Sequence, residues 1–314
     1  MKIATIAGLG VLALAMAACS PKEEAEAPDT PETTLDAGDA DSTDGATEPD
    51  APQAAAAEPA TELQLIKLDC GTIYVSDLDI FSVEGDYAGE TDTFTDTCWL
   101  VRHPDGDLLW DLGLPGELAG NGEQTQSVFT VSLEKTIADQ LAEMGLSMSD
   151  VERVAISHSH FDHVGQASDI DPSTVWLVNQ TEYDFMFPEA GSEAAEGQPD
   201  NPFPAFEGLQ REIIEDEHDV FGDGSVLIFG TPGHTPGHSS LFVRLPETGP
   251  VLLTGDLYHR TESREGRRVP QFNTSVEQTR NSMEAFEAFA DGLGAKVIIQ
   301  HEPADTDPLP QVMR

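Results

Sequence analysis

"SHSHFDHVG", residues 157–165, places three histidines and one aspartate within six positions. His158 and His160 are two apart, so an extended segment points both to the same side. Asp162 and His163 follow as the chain turns towards a helix. Neutral imidazole is a good zinc ligand, and a carboxylate suits zinc, iron or manganese. Four such groups exceed what one ion takes comfortably from a single loop. Two ions a few ångströms apart, bridged by a carboxylate and a water, fit better.

The remaining ligands should lie elsewhere in the chain. Apolar, β-rich runs end on ligand-type side chains: "RVAISH" leads into the motif at His158, "SVLIFGTPGH" ends at His234, "VLLTGD" at Asp256 and "KVIIQH" at His301. Four separate strands that each deliver a donor at the carboxyl end describe a site on one edge of a rigid sheet. Other strand-like runs are "LQLIKL", "TIYVSD", "TCWLVRH", "DLLWD", "TVWLVN" and "SSLFVRL", and Asp105-Gly106 between two of them predicts a hairpin. Helical periodicity predicts helices over 131–145 and 275–291, the second capped by Ser275, and a shorter one over 180–187. The Pro/Gly-rich stretch 188–208 reads as a loop. Many strands with a few helices between them imply a layered α/β or α+β architecture.

The ends of the chain carry addressing information. Residues 1–19 combine Lys2, an apolar run from Ile3 to Ala17 and small residues ahead of Cys19, the pattern of a secretory signal too short to span a membrane comfortably. "MAAC" resembles a bacterial lipobox, which would make Cys19 the lipidated first residue of the mature protein; Met16 replaces the usual Leu. Ser20 lacks the acidic character that retains such proteins at the inner membrane. The expected address is therefore the outer membrane, facing periplasm or cell surface, with a soluble periplasmic protein as the alternative. Residues 20–62 hold 13 acidic residues and one lysine with scarcely a large apolar side chain, the composition of a disordered, self-repelling tether. The globular part, 63–314, still has 45 acidic against 13 basic residues, which argues against nucleic acid and anionic lipid as partners. Contact with a membrane is expected through the lipid anchor alone. Cys70 and Cys98 sit in strand-like segments and could form a disulfide or pack as free thiols.

"HSHFDH" with "TPGHTPGH", "TGD" and a late "QH" resembles the metallo-β-lactamase superfamily, and "WDLG" at 110–113 resembles its early Asp-Thr-Gly strand end, with Leu112 in place of Thr. The resemblance spans 63–314 and implies a four-layer αββα sandwich. It implies that His158, His160 and His234 hold one metal ion, that Asp162, His163 and His301 hold a second, and that Asp256 bridges them. His238 would support the site without ligating, and His103 and His218 take no part. Two divalent ions are implied, zinc first, with iron, manganese or cobalt open.

Asp256 argues against the true lactamases, which commonly hold Cys or Ser there. The glyoxalase II-type thioesterases carry a basic C-terminal domain that this chain lacks, and persulfide dioxygenases use one iron. "GDLYHR" and "CWLVRHPDGDLLWDLGLP" resemble most closely the N-acyl homoserine lactonases. That likeness implies opening of lactone rings, with Tyr258 facing the substrate carbonyl and Asp162 passing a proton to the leaving oxygen. Tyr258 stands one residue away from the offset usual in that family. Phe185, Phe187, Phe203 and Phe206 are candidates to roof an apolar acyl pocket. The alternatives are a thioesterase and a non-catalytic metal-binding surface lipoprotein.

Overall fold

The computed structural model describes residues 62–189 and 203–314. The signal segment with Cys19, the tether short of its last residue and positions 190–202 of the expected loop lie outside the described residues. Two sheets stand face to face. The first holds β1 (Gln64–Val75), β2 (Asp92–His103), β3 (Gly106–Trp110), β4 (Gln124–Gln126), β5 (Phe129–Ser132), β6 (Arg153–Ala155), β7 (Val175–Asn179), β8 (Gln210–Ile214) and β14 (Val312–Met313). Its order is β4-β5-β1-β2-β3-β6-β7-β8, with β14 and β5 sharing one edge of β1. The second holds β9 (Glu217–Asp219), β10 (Val226–Gly230), β11 (Ser239–Leu245), β12 (Gly249–Leu253) and β13 (Lys296–Ile298), in the order β13-β12-β11-β10-β9. The helices are α1 (Ile137–Glu143), α2 (Phe161–Val164), α3 (Gln180–Met186), α4 (Pro204–Glu207), α5 (Thr261–Gly266), α6 (Val276–Leu293) and α7 (Pro303–Thr306).

Alternation along the strands builds four layers. Trp99 and Val101 of β2 meet Val226 and Ile228 of β10 and Leu241 and Val243 of β11 between the sheets. Cys98 and Leu100 point the other way, against Ile137 and Leu141 of α1 and Met186 of α3. Leu227 and Phe229 of β10 and Phe242 of β11 meet Met283, Phe286 and Phe289 of α6. Strands covered on both faces read as unbroken apolar runs, which is why the sequence shows them so clearly. The result is an αββα sandwich.

Local expectations meet the structure unevenly. The hairpin forms, with His103 opposite Gly106, and α6 starts where Ser275 accepts from the Gln278 N–H. The helix expected over 131–145 is shorter. Val131 and Ser132 belong to β5, where Phe129 and Val131 alternate inwards against β1, and Thr136 then caps α1 in a reciprocal bond with Asp139. "LQLIKL" and "TIYVSD" merge into one strand, β1, whose register shifts between Asp69 and Gly71. Cys70 lies at that irregularity and is bonded to Cys98, with the Cα atoms 5.8 Å apart.

Candidate metal centre

β6, β10, β12 and β13 end at one edge of the sandwich, and the loops beyond them carry the ligand-type residues. His158, His160, His234 and Asp256 offer donor atoms that all lie within 4.8 Å of one another. Asp162, His163 and His301 form a second such group. The Asp256 carboxylate stands between them. Its Oδ2 lies 3.2 Å from His234 Nε2 and 3.5 Å from His158 Nε2, and its Oδ1 lies 3.1 Å from His163 Nε2 and 3.0 Å from His301 Nε2. All seven residues named from the motif pattern are thus brought together.

The outer ring nitrogens are already occupied. His234 Nδ1 donates to Asn273 Oδ1 at 2.8 Å, His301 Nδ1 to the Thr95 carbonyl at 2.8 Å, and His163 Nδ1 lies 3.1 Å from Asp111 Oδ2. These acceptors fix the tautomers, so the inner Nε2 atoms present lone pairs. Lone pairs then face one another: His163 Nε2 and His301 Nε2 are 3.2 Å apart, and His160 Nδ1 and His234 Nε2 are 2.9 Å apart. His158 Nε2 and Asp256 Oδ1 are buried without a hydrogen-bond partner. A convergence of neutral imidazoles on a shared carboxylate suits two divalent cations, and the donor set of nitrogen and carboxylate oxygen fits zinc.

Burial and the neighbouring imidazoles hold His158 and His160 well below the usual histidine range. Burial acts the same way on His163 and His301, but nearby carboxylates, Asp256 foremost, outweigh it and raise His163 well above that range and His301 to about 9. Asp256 is pulled far down because the imidazoles around it, led by His259, outweigh its burial.

Around this set stand residues that fasten it. Asp111 adopts a left-handed backbone at φ 63°, and its carboxylate accepts from Ser157 N at 2.6 Å and Gln300 Nε2 at 2.9 Å besides facing His163. His238 does support without ligating. Its Nδ1 donates to the Thr231 carbonyl at 3.0 Å and its Nε2 accepts from Asp256 N at 2.9 Å. Gly255 has φ 54°, and a Cβ there would come within 2.7 Å of that Nε2. Glu182, on α3 and buried, takes four hydrogen bonds: Ser159 N and Oγ on one oxygen, Thr235 Oγ1 and Gly237 N on the other. It joins the loop of His158 and His160 to the loop of His234, a role that nothing in its sequence setting announces.

Two expectations change. Tyr258 does not face the metal set: it is buried against Phe286 of α6, at 6.0 Å between centroids, and burial with Glu287 beside it raises its phenol far above the usual range. His259 stands at the site instead. Its Nε2 lies 2.9 Å from Asp256 Oδ2, its ring stacks on His301 at 5.8 Å, and burial lowers its pKa, favouring neutral imidazole. The chain is extended at Tyr258 (φ −139°, ψ 140°), so neighbouring side chains leave it on opposite sides and only one of the pair can face the carboxylate.

The aromatic wall is also a different set. Phe187, Phe203 and Phe206 pack with Trp176 and Tyr183 on the outer face of the first sheet, and Phe185 is half-buried on α3. Rings beside the metal set are Phe272, 5.7 Å from His234 and 6.3 Å from His259, Phe81, 4.8 Å from His259, and Phe94, 6.1 Å from His301. Phe272 is 39% exposed. His103 is buried rather than exposed, stacked on Phe221 and paired with Asp223.

The family model of the metallo-beta-lactamase superfamily matches residues 92–301. The N-acyl homoserine lactonase AttM of Rhizobium radiobacter is 31% identical over 256 residues, covering 77% of this chain and 94% of that protein. The N-acyl homoserine lactonase AiiA of Bacillus thuringiensis subsp. kurstaki is 31% identical over 175 residues, 54% of this chain and 66% of its own. A solved N-acyl homoserine lactone hydrolase, with the product N-hexanoyl-L-homoserine at its catalytic metal centre, superposes with a TM-score of 0.65 at 24% identity, covering 79% of this chain and 96% of that one.

Proposed function

The chain belongs to the metallo-beta-lactamase superfamily and, within it, to the N-acyl homoserine lactonase family; on that footing we propose that it is a metal-dependent hydrolase that opens the ring of N-acyl homoserine lactones or closely related lactones. The observation that carries the reading is the Asp256 carboxylate, one oxygen turned to each histidine set, beside an aromatic wall that Phe272 carries to the surface.

His158, His160 and His234 would hold one divalent ion, Asp162, His163 and His301 the other, and Asp256 both, with zinc as the expected metal. Bound ions would supply Lewis-acid activation of water and of the lactone carbonyl. In the reaction a water oxygen adds to the carbonyl carbon, the ring C–O bond breaks, and one water proton ends on the leaving oxygen. Asp162, 3.9 Å from both His163 Nε2 and His301 Nε2 and 8% exposed, is placed to carry that proton. His259 takes the carbonyl-facing place first expected of Tyr258: kept neutral by burial, its N–H can steady the charge that develops on the carbonyl oxygen. Phe81 and Phe272 give the acyl chain an apolar wall. A neutral substrate with an apolar tail also suits a globular part with 45 acidic and 13 basic residues better than an anionic thioester would.

We further propose export and anchoring through lipidated Cys19. The signal pattern of residues 1–19 supports it, as does the Cys70–Cys98 disulfide, a bond suited to an oxidising compartment. Cys19→Ser should release the protein from membranes with hydrolysis unchanged; an unmodified Cys19 in mature protein, seen by mass spectrometry, rules the anchor out.

The test of the activity is one substrate panel on metal-loaded protein: a lactone series, a glutathione thioester, a β-lactam and a phosphodiester. Ring opening of acyl homoserine lactones is expected to dominate. Fast thioester turnover with inert lactones overturns the substrate class.

A further inference from the structure

Asp96 is a carboxylate for which neither the ligand set nor its fasteners account. It lies in the middle of β2, is 1% exposed, and neither of its oxygens accepts a hydrogen bond. An ionised carboxylate in such a place is costly unless a positive charge faces it, and an apolar side chain or an asparagine would fill the strand position at lower cost.

The neighbours on β2 show where it lies. Thr95 Oγ1 and Thr97 Oγ1 both donate to the Gln300 carbonyl, at 3.3 and 2.9 Å, and the Thr95 carbonyl accepts from His301 Nδ1 at 2.8 Å. Asp96 leaves the opposite face of the strand, between Phe94 and Cys98. The Phe94 ring is 6.1 Å from that of His301. Cys98 Sγ lies 3.1 Å from where a Cβ on Gly113 would stand, and the preceding residue, Leu112, donates its N–H to the His163 carbonyl at 3.0 Å. Asp96 is therefore set between the segments that carry His301 and His163. The charged groups that act on it most are, in order, His301, Asp162, His163 and Asp111, with no lysine or arginine among them.

Asp111 cannot serve in its stead, because its oxygens are taken by Ser157, Gln300 and His163. Asp162 brings one negative charge to the second metal position and Asp256 is shared with the first. A divalent ion there keeps a positive surplus.

We propose that Asp96 is the charge-balancing carboxylate of the second metal position, acting on the ion held by Asp162, His163, His301 and Asp256 and raising its affinity. The inference rests on the paired-metal reading above. It makes Asp96 a positioning and electrostatic residue rather than a catalytic one, and it predicts an asymmetry: loss of this carboxylate weakens the second ion and leaves the first, held from the far side of Asp256.

The experiment titrates zinc into chelator-stripped full-length protein, wild type against Asp96→Asn, and follows binding by calorimetry with metal content measured independently. Wild type should take up two ions. Asp96→Asn should take the first with unchanged affinity and the second about ten- to a hundredfold more weakly, the range for outer carboxylates of metal sites. Thermal melting supplies a second readout that a purely structural role would not produce: the variant should melt above wild type when stripped of metal and below it in saturating zinc. Asp96→Ala, which removes the carboxylate without offering an amide, should show the same loss of the second ion. Two ions bound by both variants as tightly as by wild type, or midpoints lowered equally with and without zinc, overturn this inference alone. A wild-type chain that takes up one ion overturns the paired-metal reading and this inference with it.

Discussion

Tyr258 and His259 are neighbours on an extended stretch of backbone, and their fates diverge because successive side chains point to opposite sides. The tyrosine enters the layer beneath α6; the histidine reaches Asp256 Oδ2 at 2.9 Å. His259→Ala should therefore lower kcat/KM for lactones by about 10²–10³, the usual cost of removing one donor to a developing oxyanion, while metal analysis still finds both ions. Tyr258→Phe should leave turnover near wild type. The opposite ranking in steady-state kinetics restores Tyr258 to the site. His238 offers a prediction in pH. Burial lowers its pKa from 6.5 to about 3, and its Nε2 accepts from the Asp256 N–H, so the folded state holds it neutral. The unfolded chain binds that proton below about pH 6.5, so the stability tied to neutral His238 is complete above that pH and drains away towards pH 3. Denaturant titrations across that window should show a shallower loss for His238→Gln than for wild type.

At the level of elements, the site depends on loops held at a fixed distance from one another, and α3 supplies the fastening. The Asn179 side chain caps the helix by accepting from Glu182 N and donates to the Gly237 carbonyl, so the helix start is tied to the His234 loop before Glu182 adds its four bonds. Glu182→Gln turns one acceptor oxygen into an amide that can only oppose the N–H of Ser159 or of Gly237. The first metal position, whose ligands flank Ser159 and Thr235, should then lose affinity by about 10–100-fold, with the second position much less affected. Competition with a chromophoric chelator would separate the two ions; equal loss at both positions contradicts the role given to Glu182. Strand ends and ligand spacing showed in the sequence because both follow local rules. A polar residue on a seven-residue helix, by contrast, reads as an exposed side chain until its partners 23 and 53 positions away are brought to it.

For the molecule as a whole, charge sets the balance against compactness. With 58 acidic and 15 basic residues, net charge −43, the folded chain repels itself, and long-range repulsion between exposed charges is screened within about 10 Å at 0.1 M salt. The metal-free protein should melt at a higher temperature as sodium chloride rises from about 0.05 to about 0.5 M, a range over which the screening length falls severalfold. A midpoint that falls over that range would show that local ion pairs, such as Arg264–Glu287 and Arg260–Asp92, outweigh the general repulsion.

The seven ligands, the strand runs that deliver them and the layered fold were legible in the chain, because metal coordination admits few residue types and strands buried on two faces must be apolar throughout. The disulfide was left open by sequence and decided by the pairing of β1 with β2, which brings Cys70 and Cys98 to 5.8 Å. The choice of His259 over Tyr258, the Glu182 clasp, the unpaired Asp96 and the wall of Phe81, Phe94 and Phe272 were likewise decided by the fold. Each depends on which way a side chain leaves the backbone and on what distant segment meets it there, and residue type and spacing alone carry neither.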